Sequence, residues 1–189
     1  MNGFNHEISL GEGLLRYFKL YDLGDGGYTD RWFKIKFFWK FGIILPNISS
    51  RVAAVKFHDL HHVLTEYSTG FRGEAEIGAW EIASGCGKYY SAWILNVGSL
   101  VYGLIFFPKP VYRAFIRGRQ SRNLYHNIEY NPALLSRSVG EIRAELGIPP
   151  TGTSPRIKDI IAFCLWSIFI LANLFGNIIP ILAIIKYLL

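Results

Sequence analysis

A short run of histidines and acids near the middle of the chain has the residue types of a metal site. The run is His58-Asp59-Leu60-His61-His62, and Glu74 follows after eleven intervening residues. On a helix that turns about 100° per residue, His58 and His62 lie one turn apart on one face. Asp59 shares that arc, whereas His61 falls on the other flank of His58. Imidazole and carboxylate ligands suit zinc, and also iron, manganese or cobalt.

Two neighbouring helices are predicted to bring these side chains together. Residues 49–66 have helical periodicity after a serine cap, and YSTG interrupts them at 67–70. A second helix from about 72 to about 84 would fold Glu74 back toward the histidines. Apolar neighbours such as Phe57 and Val63 indicate a largely buried helix, in which polar groups need partners. The predicted metal ligands are therefore His58, Asp59, His62 and Glu74. The alternative is a polar helix surface that binds nothing.

Three further segments bear on fold and membrane contact. Residues 31–45 alternate aromatic residues with lysines, and we expect either a helix on a membrane surface or a core helix with a solvated basic edge. The uncharged residues 91–107 are short for a membrane span and predict a buried central helix or one that lines an apolar pocket. The basic run 109–122 indicates a solvated face, or contact with lipid phosphate or an anionic ligand. SVGEIRAELGIPP predicts a short amphipathic helix that ends at Gly147.

The C-terminal part of the chain has the composition of a transmembrane helix. No charged residue occurs between Asp159 and Lys186, a length that exceeds the roughly 30 Å hydrocarbon core. Basic residues precede this stretch, which places the body on the cytoplasmic face of a bacterial inner membrane. The matrix face of the mitochondrial inner membrane is the alternative. We therefore expect an all-α fold: a helical domain over 1–155 with the metal site between two adjacent helices, and a transmembrane anchor over 156–189.

The composition agrees with a membrane-attached protein. Hydrophobic residues make up 51% of the chain and charged residues 18%, with a net charge of +6. Basic charge on so apolar a chain favours anionic lipid or an acidic substrate as partner rather than nucleic acid. The two cysteines form no zinc or disulfide pattern, so a reducing compartment is expected. The first residues resemble neither a secretory signal nor a mitochondrial transit peptide.

The spacing His58-Asp59-x-x-His62, then eleven residues, then Glu74, resembles the signature of the Coq-four family of ubiquinone (coenzyme Q) biosynthesis proteins. The surrounding KFHDLHHVLTEYSTGFRGEAEIGAWEIASG and the later EIRAELGI at 141–148 are also similar. The resemblance covers roughly residues 30–150. It implies an all-helical fold at a membrane, zinc on the four ligands above, a polyprenylated aromatic quinone precursor as lipid substrate, and assembly with other quinone-biosynthesis proteins.

The resemblance also implies a reaction, which is removal of the C1 carboxylate of the ring with hydroxylation at that carbon. Glu81 lies two turns after Glu74 on the same face and is a candidate to move protons; a solvated helix acid is the alternative. Arg72 or Arg113 is a candidate to meet the substrate carboxylate. A different function is a non-catalytic, lipid-binding scaffold whose metal is structural.

Two other metal-dependent classes fit less well. HDLHH also spells the HxxHH box of membrane desaturases and hydroxylases, but those enzymes use about eight histidines and this chain has five. Phosphohydrolases with a His-Asp pair need a separate upstream histidine and a distant aspartate. His6 is the only histidine upstream, and it lies near the start of the chain.

Overall fold

The computed structural model describes the backbone of residues 6–37 and 41–188, and side chains over the same ranges except 35–37, 41–43, 175 and 177–188. Within these ranges the protein is mostly helical, with one small sheet. In chain order the elements are α1 (Leu10–Tyr21), β1 (Trp32–Phe37), β2 (Phe41–Pro46), α2 (Ser49–Thr65), α3 (Phe71–Ser84), α4 (Tyr90–Phe106), α5 (Pro108–Arg119), α6 (Pro132–Ser136), α7 (Val139–Leu146) and α8 (Ile157–Leu188).

The described residues of the segment 31–45 lie mainly in two strands, so the expectation of a helix there is wrong for the described part. Strands β1 and β2 are antiparallel, with Trp32 opposite Pro46 and Phe33 opposite Leu45. The physical reason is visible in FKIKF, where aromatic and β-branched residues alternate with lysines. That period of two fits a pleated strand better than a helix turn. Residues 38–40 of this expectation lie outside the described part of the chain.

The helices predicted around the histidines are confirmed. Helix α2 begins at Ser49 and α3 begins at Phe71, close to the expected limits. The expected serine cap on α2 is wrong, because Ile48 occupies the cap position without a side-chain hydrogen bond. Helix α7 ends as expected, with Gly147 in the left-handed conformation at φ 62°.

Two apolar clusters hold the body together. One joins α1, α2, α6 and α7 through residues that include Leu10, Leu60, Leu64 and Ile142. The other joins α3, α4, α5 and α8 around Trp80 and Phe115. Gly118 lets α5 approach α3 closely, since a Cβ there would collide with the carbonyl oxygen of Trp80. The two helices that carry the histidines and Glu74 therefore belong to different clusters, and the site lies where the clusters meet.

Helix α8 is one continuous element from Ile157 to Leu188. Its segment Ile157–Leu174 is long and apolar enough to cross a membrane, with a mean hydropathy of 1.8, and 11% of it is buried. The first part of α8 nevertheless contacts the body: Phe163 packs against Tyr112 and Phe115, and Asp159 is fully buried beside Arg156.

Candidate metal centre

Helices α2 and α3 bring His58, His62 and Glu74 together. One ligand atom from each lies within 4.8 Å of the other two. The Nε2 atoms of the two histidines are 3.1 Å apart, and the Glu74 carboxylate lies 3.5 Å from His58 and 3.4 Å from His62. Donor atoms that share one tetrahedral zinc at about 2.0–2.1 Å are about 3.3 Å from one another. The three groups thus stand at the separation that a single small cation requires.

Hydrogen bonds fix which ring nitrogen of each histidine faces the cluster. Nδ1 of His62 lies 2.8 Å from the carbonyl oxygen of Tyr67, and Nδ1 of His58 lies 3.0 Å from Oε1 of Glu81. A carbonyl and a carboxylate only accept, so both Nδ1 atoms carry the proton and donate it. Each Nε2 is then the atom that can offer a lone pair to the centre of the cluster.

This arrangement attracts positive charge. Two imidazole lone pairs 3.1 Å apart repel each other unless a proton or a metal cation lies between them. Burial alone would lower the pKa of His58, but the charges and hydrogen bonds of Glu81 and Glu74 raise it well above its ordinary value. Burial alone would raise the pKa of Glu74, but His62 and His58 lower it to about 2. The donor set therefore fits a divalent metal, which would replace the proton on His58.

Asp59 is adjacent to the cluster but has a different partner. Its Oδ2 accepts a hydrogen bond of 2.7 Å from the hydroxyl of Tyr28, and the residue is buried. Burial raises the pKa of Asp59, although His58 and the Tyr28 hydroxyl act in the opposite direction. The structure thus brings together three of the four predicted ligands. Ligation by Asp59 stays a prediction, and it would require the carboxylate to exchange Tyr28 for the metal.

Glu81 is the polar centre of the interior rather than a solvated acid. Its Oε1 accepts from Nδ1 of His61 at 2.6 Å as well as from His58. Its Oε2 accepts from the side-chain amide of Asn96 and from the hydroxyl of Tyr125. Burial alone would raise the pKa of Glu81, but the charges and hydrogen bonds of His58 and His61 outweigh it and hold the pKa well below its ordinary value.

His61 is part of this network and was missed by the sequence reasoning, which only placed it off the metal-binding face. It is fully buried, and its Nε2 accepts from the backbone N–H of Leu124 at 3.0 Å. Burial lowers the pKa of His61, which keeps the ring neutral. One feature of the sequence indicates a buried polar network: Asn96 is a polar side chain in the middle of an uncharged helix, and such a residue usually has a buried polar partner.

Two arginines that the sequence reasoning did not single out fix the C-terminal end of α2. Arg117 donates to the carbonyl oxygen of Thr65, and Arg143 donates to those of Leu64 and Val63. The last turn of a helix has unpaired carbonyls and a partial negative charge, which these guanidinium groups neutralise. His62 lies in that turn, so its backbone is held in place from outside the helix.

The two arginines predicted to contact substrate lie on the surface. Arg72 is exposed at the start of α3 and forms a weak surface pair with Glu76 at 3.4 Å. Arg113 is exposed on α5. Substrate contact by either one stays a prediction.

Two of the three side chains of the centre reach the surface and the third is buried. The side chain of Glu74 is 40% exposed and that of His58 is 20% exposed, whereas His62 is 1% exposed. The ring of Tyr17 stacks on His62 with centroids 5.2 Å apart and covers the closed side. The cluster is thus reached by solvent on the Glu74 side, and access for a further ligand is the feature that separates catalytic from structural zinc sites.

Comparison of the chain with protein-family models, with curated proteins and with solved structures finds no match. The resemblance to the Coq-four family therefore rests on the residues and spacings of the sequence itself, and it enters below as part of a proposal.

Replacing Glu74 is expected to abolish tight metal binding while leaving the fold intact, because its side chain is partly exposed and supplies one of three donors. Removal of a group that only hydrogen-bonds to a metal ligand costs roughly 10–100-fold in metal affinity. The E74A variant, which loses a ligand itself, should lose more than this. Metal content after dialysis, by inductively coupled plasma mass spectrometry, measures this. E76A, on the same helix and outside the cluster, is the control and should retain metal; equal retention by both variants would contradict the site.

Replacing Glu81 is expected to weaken metal binding without removing a ligand. In E81Q the negative charge that orients His58 is lost, and the affinity should fall by about 10–100-fold. The free energy of unfolding should also fall by about 1–3 kcal/mol, since a fully satisfied buried acceptor is replaced. Competition against a chromogenic chelator measures the affinity, with E76Q as the matched control. Unchanged affinity in E81Q would show that Glu81 does not position His58.

Proposed function

We propose that this protein is a membrane-attached metalloenzyme in which His58, His62 and Glu74 hold a divalent metal that acts on a lipid substrate. The observation that carries the proposal is that both histidines donate through Nδ1 to fixed acceptors and turn Nε2 toward one carboxylate. Zinc is the metal we propose, with iron, manganese or cobalt as alternatives, because imidazole and carboxylate donors accept all four.

The substrate class that we propose comes from the resemblance to the Coq-four family. It is a polyprenylated hydroxybenzoate-type quinone precursor, and the reaction is loss of its C1 carboxylate as CO2 with a hydroxyl group formed at the same carbon. Replacement of carboxylate by hydroxyl is an oxidation, so dioxygen and two reducing equivalents would be the co-substrates, and water the second product. Zinc has no redox chemistry and would act only as a Lewis acid, so activation of dioxygen at this site would require one of the alternative metals, iron, manganese or cobalt. The metal, when bound, supplies Lewis acidity that stabilises negative charge on a ring oxygen.

Different residues have different roles in the proposed reaction. His58, His62 and Glu74 would bind the metal, and the open side at Glu74 would receive the ring. Glu81 would fix the tautomer of His58, since its carboxylate accepts from His58 and from three further donors. A role of Glu81 in moving protons stays a prediction. Arg72, exposed at the start of α3, and Arg113, exposed on α5, are the residues that would contact the substrate carboxylate.

The membrane part of the proposal rests on α8. A helix of this length and hydropathy with so little of its apolar segment buried is unlike the core helix of a water-soluble domain. A lipid substrate and a membrane anchor fit each other, since the substrate would remain in the bilayer. Location on the cytoplasmic face of a bacterial membrane, or the matrix face of the mitochondrial one, and assembly with other quinone-biosynthesis proteins are parts of the same proposal.

The alternative function is a scaffold in which the metal only ties α2 to α3. Structural zinc sites have four protein ligands and are closed to solvent. Here three donors converge, and Glu74 and His58 both reach the surface. This openness favours catalysis over a purely structural role.

The E74A variant is expected to lose catalytic turnover while it stays folded. With the protein reconstituted in liposomes and supplied with a prenylated hydroxybenzoate labelled in its carboxylate, the wild type should release labelled CO2 and E74A should lose this activity by at least about 100-fold. E76A should retain it. Wild-type protein that binds the prenyl lipid and metal but releases no CO2, with dioxygen and a reductant present, would favour the scaffold. Mass spectrometry of lipids that copurify with the protein tests the binding.

A further inference from the structure

Helix α4 has an outer face without charge that the rest of the body leaves uncovered. The helix buries Ala92, Asn96, Leu100 and Gly103. On the other side, Tyr90, Ile94 and Ile105 are exposed, Ile94 to 73%. The helix contains no charged residue. A helix at a water interface normally has a polar outer face, so this one is fitted to an apolar surrounding.

The first half of α8 continues this face. Trp166 of α8 stacks on Trp93 of α4, with ring centroids 6.1 Å apart, so the two helices lie side by side. Outward from that contact α8 exposes Ile161, Leu165 and Ile168, the last two to 62% and 65%. Exposed apolar side chains on two adjoining helices form one surface, which we call the α4–α8 face.

The length of α8 indicates that a lipid bilayer covers the α4–α8 face. At about 1.5 Å per residue, α8 is about 48 Å long, which exceeds the roughly 30 Å hydrocarbon core. Its described contacts with the body end near Ile170, and the helix continues to Leu188. The part that packs on the body therefore continues directly into the second part of the same helix. A bilayer that receives the second part meets the α4–α8 face at the same place.

Exposed basic residues in and next to the helices of the face agree with lipid. Lys109 follows the last turn of α4, Arg113 is on α5, and Lys158 is in the first turn of α8; all three are exposed. Exposed lysine and arginine beside an apolar surface bind the phosphate groups of anionic lipids. A protein partner would not need this combination of an uncharged face and a basic border.

We propose that the α4–α8 face lies against the hydrocarbon of a lipid bilayer, so that the body is seated on the membrane through α4 and is not merely tethered by α8. The inference rests on the membrane attachment in the proposed function and is independent of the metal chemistry. It fixes the orientation of the body: α4 is the side toward the membrane.

The two native cysteines make this orientation measurable by spin labelling. Cys164 is exposed on α8 between Ile161 and Leu165 and accepts a thiol-reactive nitroxide. Cys86 is buried, and burial together with Glu81 raises its pKa to about 12, so it stays unlabelled. Three labelled proteins are compared in liposomes that contain phosphatidylglycerol: the wild type at Cys164, C164S with I94C on α4, and C164S with L15C on α1. Leu15 is 69% exposed on a helix that packs on α2 and α6.

Power-saturation electron paramagnetic resonance then reports the surroundings of each label. A label in hydrocarbon relaxes faster with dissolved oxygen than with a water-soluble nickel chelate, and a label in water does the reverse. The proposal predicts that the Cys164 and I94C labels have an oxygen-to-nickel accessibility ratio above one, and that the L15C label has a ratio below one.

Each other outcome overturns the inference in a recognisable way. A lipid signature at Cys164 with an aqueous one at I94C leaves α8 as a simple anchor and contradicts the seating of α4. Aqueous signatures at both positions contradict contact of the α4–α8 face with lipid, while recovery of the protein with the sedimented liposomes reports attachment by the rest of α8 separately. Low access to both reagents at I94C shows that protein covers the face, as in a second copy of this chain. A lipid signature at L15C as well shows that the face is not specific. Metal content, measured on the same samples, reports on the proposed function separately.

Discussion

The buried carboxylate of Glu81 is the group on which the interior of this protein depends. A fully buried negative charge is costly by several kcal/mol unless donors surround it. Here four donors do so, and they come from α2, from α4 and from the segment after α5. Each of these elements must be in place for the carboxylate to be satisfied. The polar network therefore specifies one arrangement of the helices, which apolar packing alone would specify less sharply.

The same network prepares the metal site. Because Glu81 accepts from Nδ1 of His58, and the Tyr67 carbonyl accepts from Nδ1 of His62, the two rings are held with Nε2 toward Glu74. A carboxylate behind a ligating histidine both orients the ring and raises its basicity. The buried Glu81 carboxylate is thus one hydrogen bond from His58, a predicted metal ligand. The same hydrogen bonds therefore stabilise both the fold and the site.

The sequence was sufficient for the features that depend on local periodicity. The helix pair, the convergence of His58, His62 and Glu74, and the long apolar C-terminal helix all follow from the spacing of residues along one or two helices. The lysines of 31–45 suggest a membrane-surface helix, whereas the alternation of FKIKF indicates the strand that β1 forms.

What the sequence could not supply are contacts between residues far apart in the chain. One such contact is the hydrogen bond between His61 and the backbone of Leu124. Another is the pairing of Arg117 and Arg143 with the last carbonyls of α2, which depends on how α5 and α7 pack against α2. The hydrogen-bond partner of Asp59 is also distant in the chain. Its position on the helix predicts a ligand, while the hydroxyl of Tyr28, supplied by the loop after α1, holds its carboxylate in another hydrogen bond.

The central claim is that two histidines and one glutamate hold a divalent metal through Nε2 and carboxylate oxygen. X-ray absorption spectroscopy at the zinc edge of the zinc-loaded 189-residue chain tests it most directly. We expect a first shell of nitrogen and oxygen only, at about 2.0–2.1 Å, with the outer-shell scattering of two imidazole rings. A shell without imidazole scattering, a sulfur ligand, or failure to load one zinc per chain would contradict it.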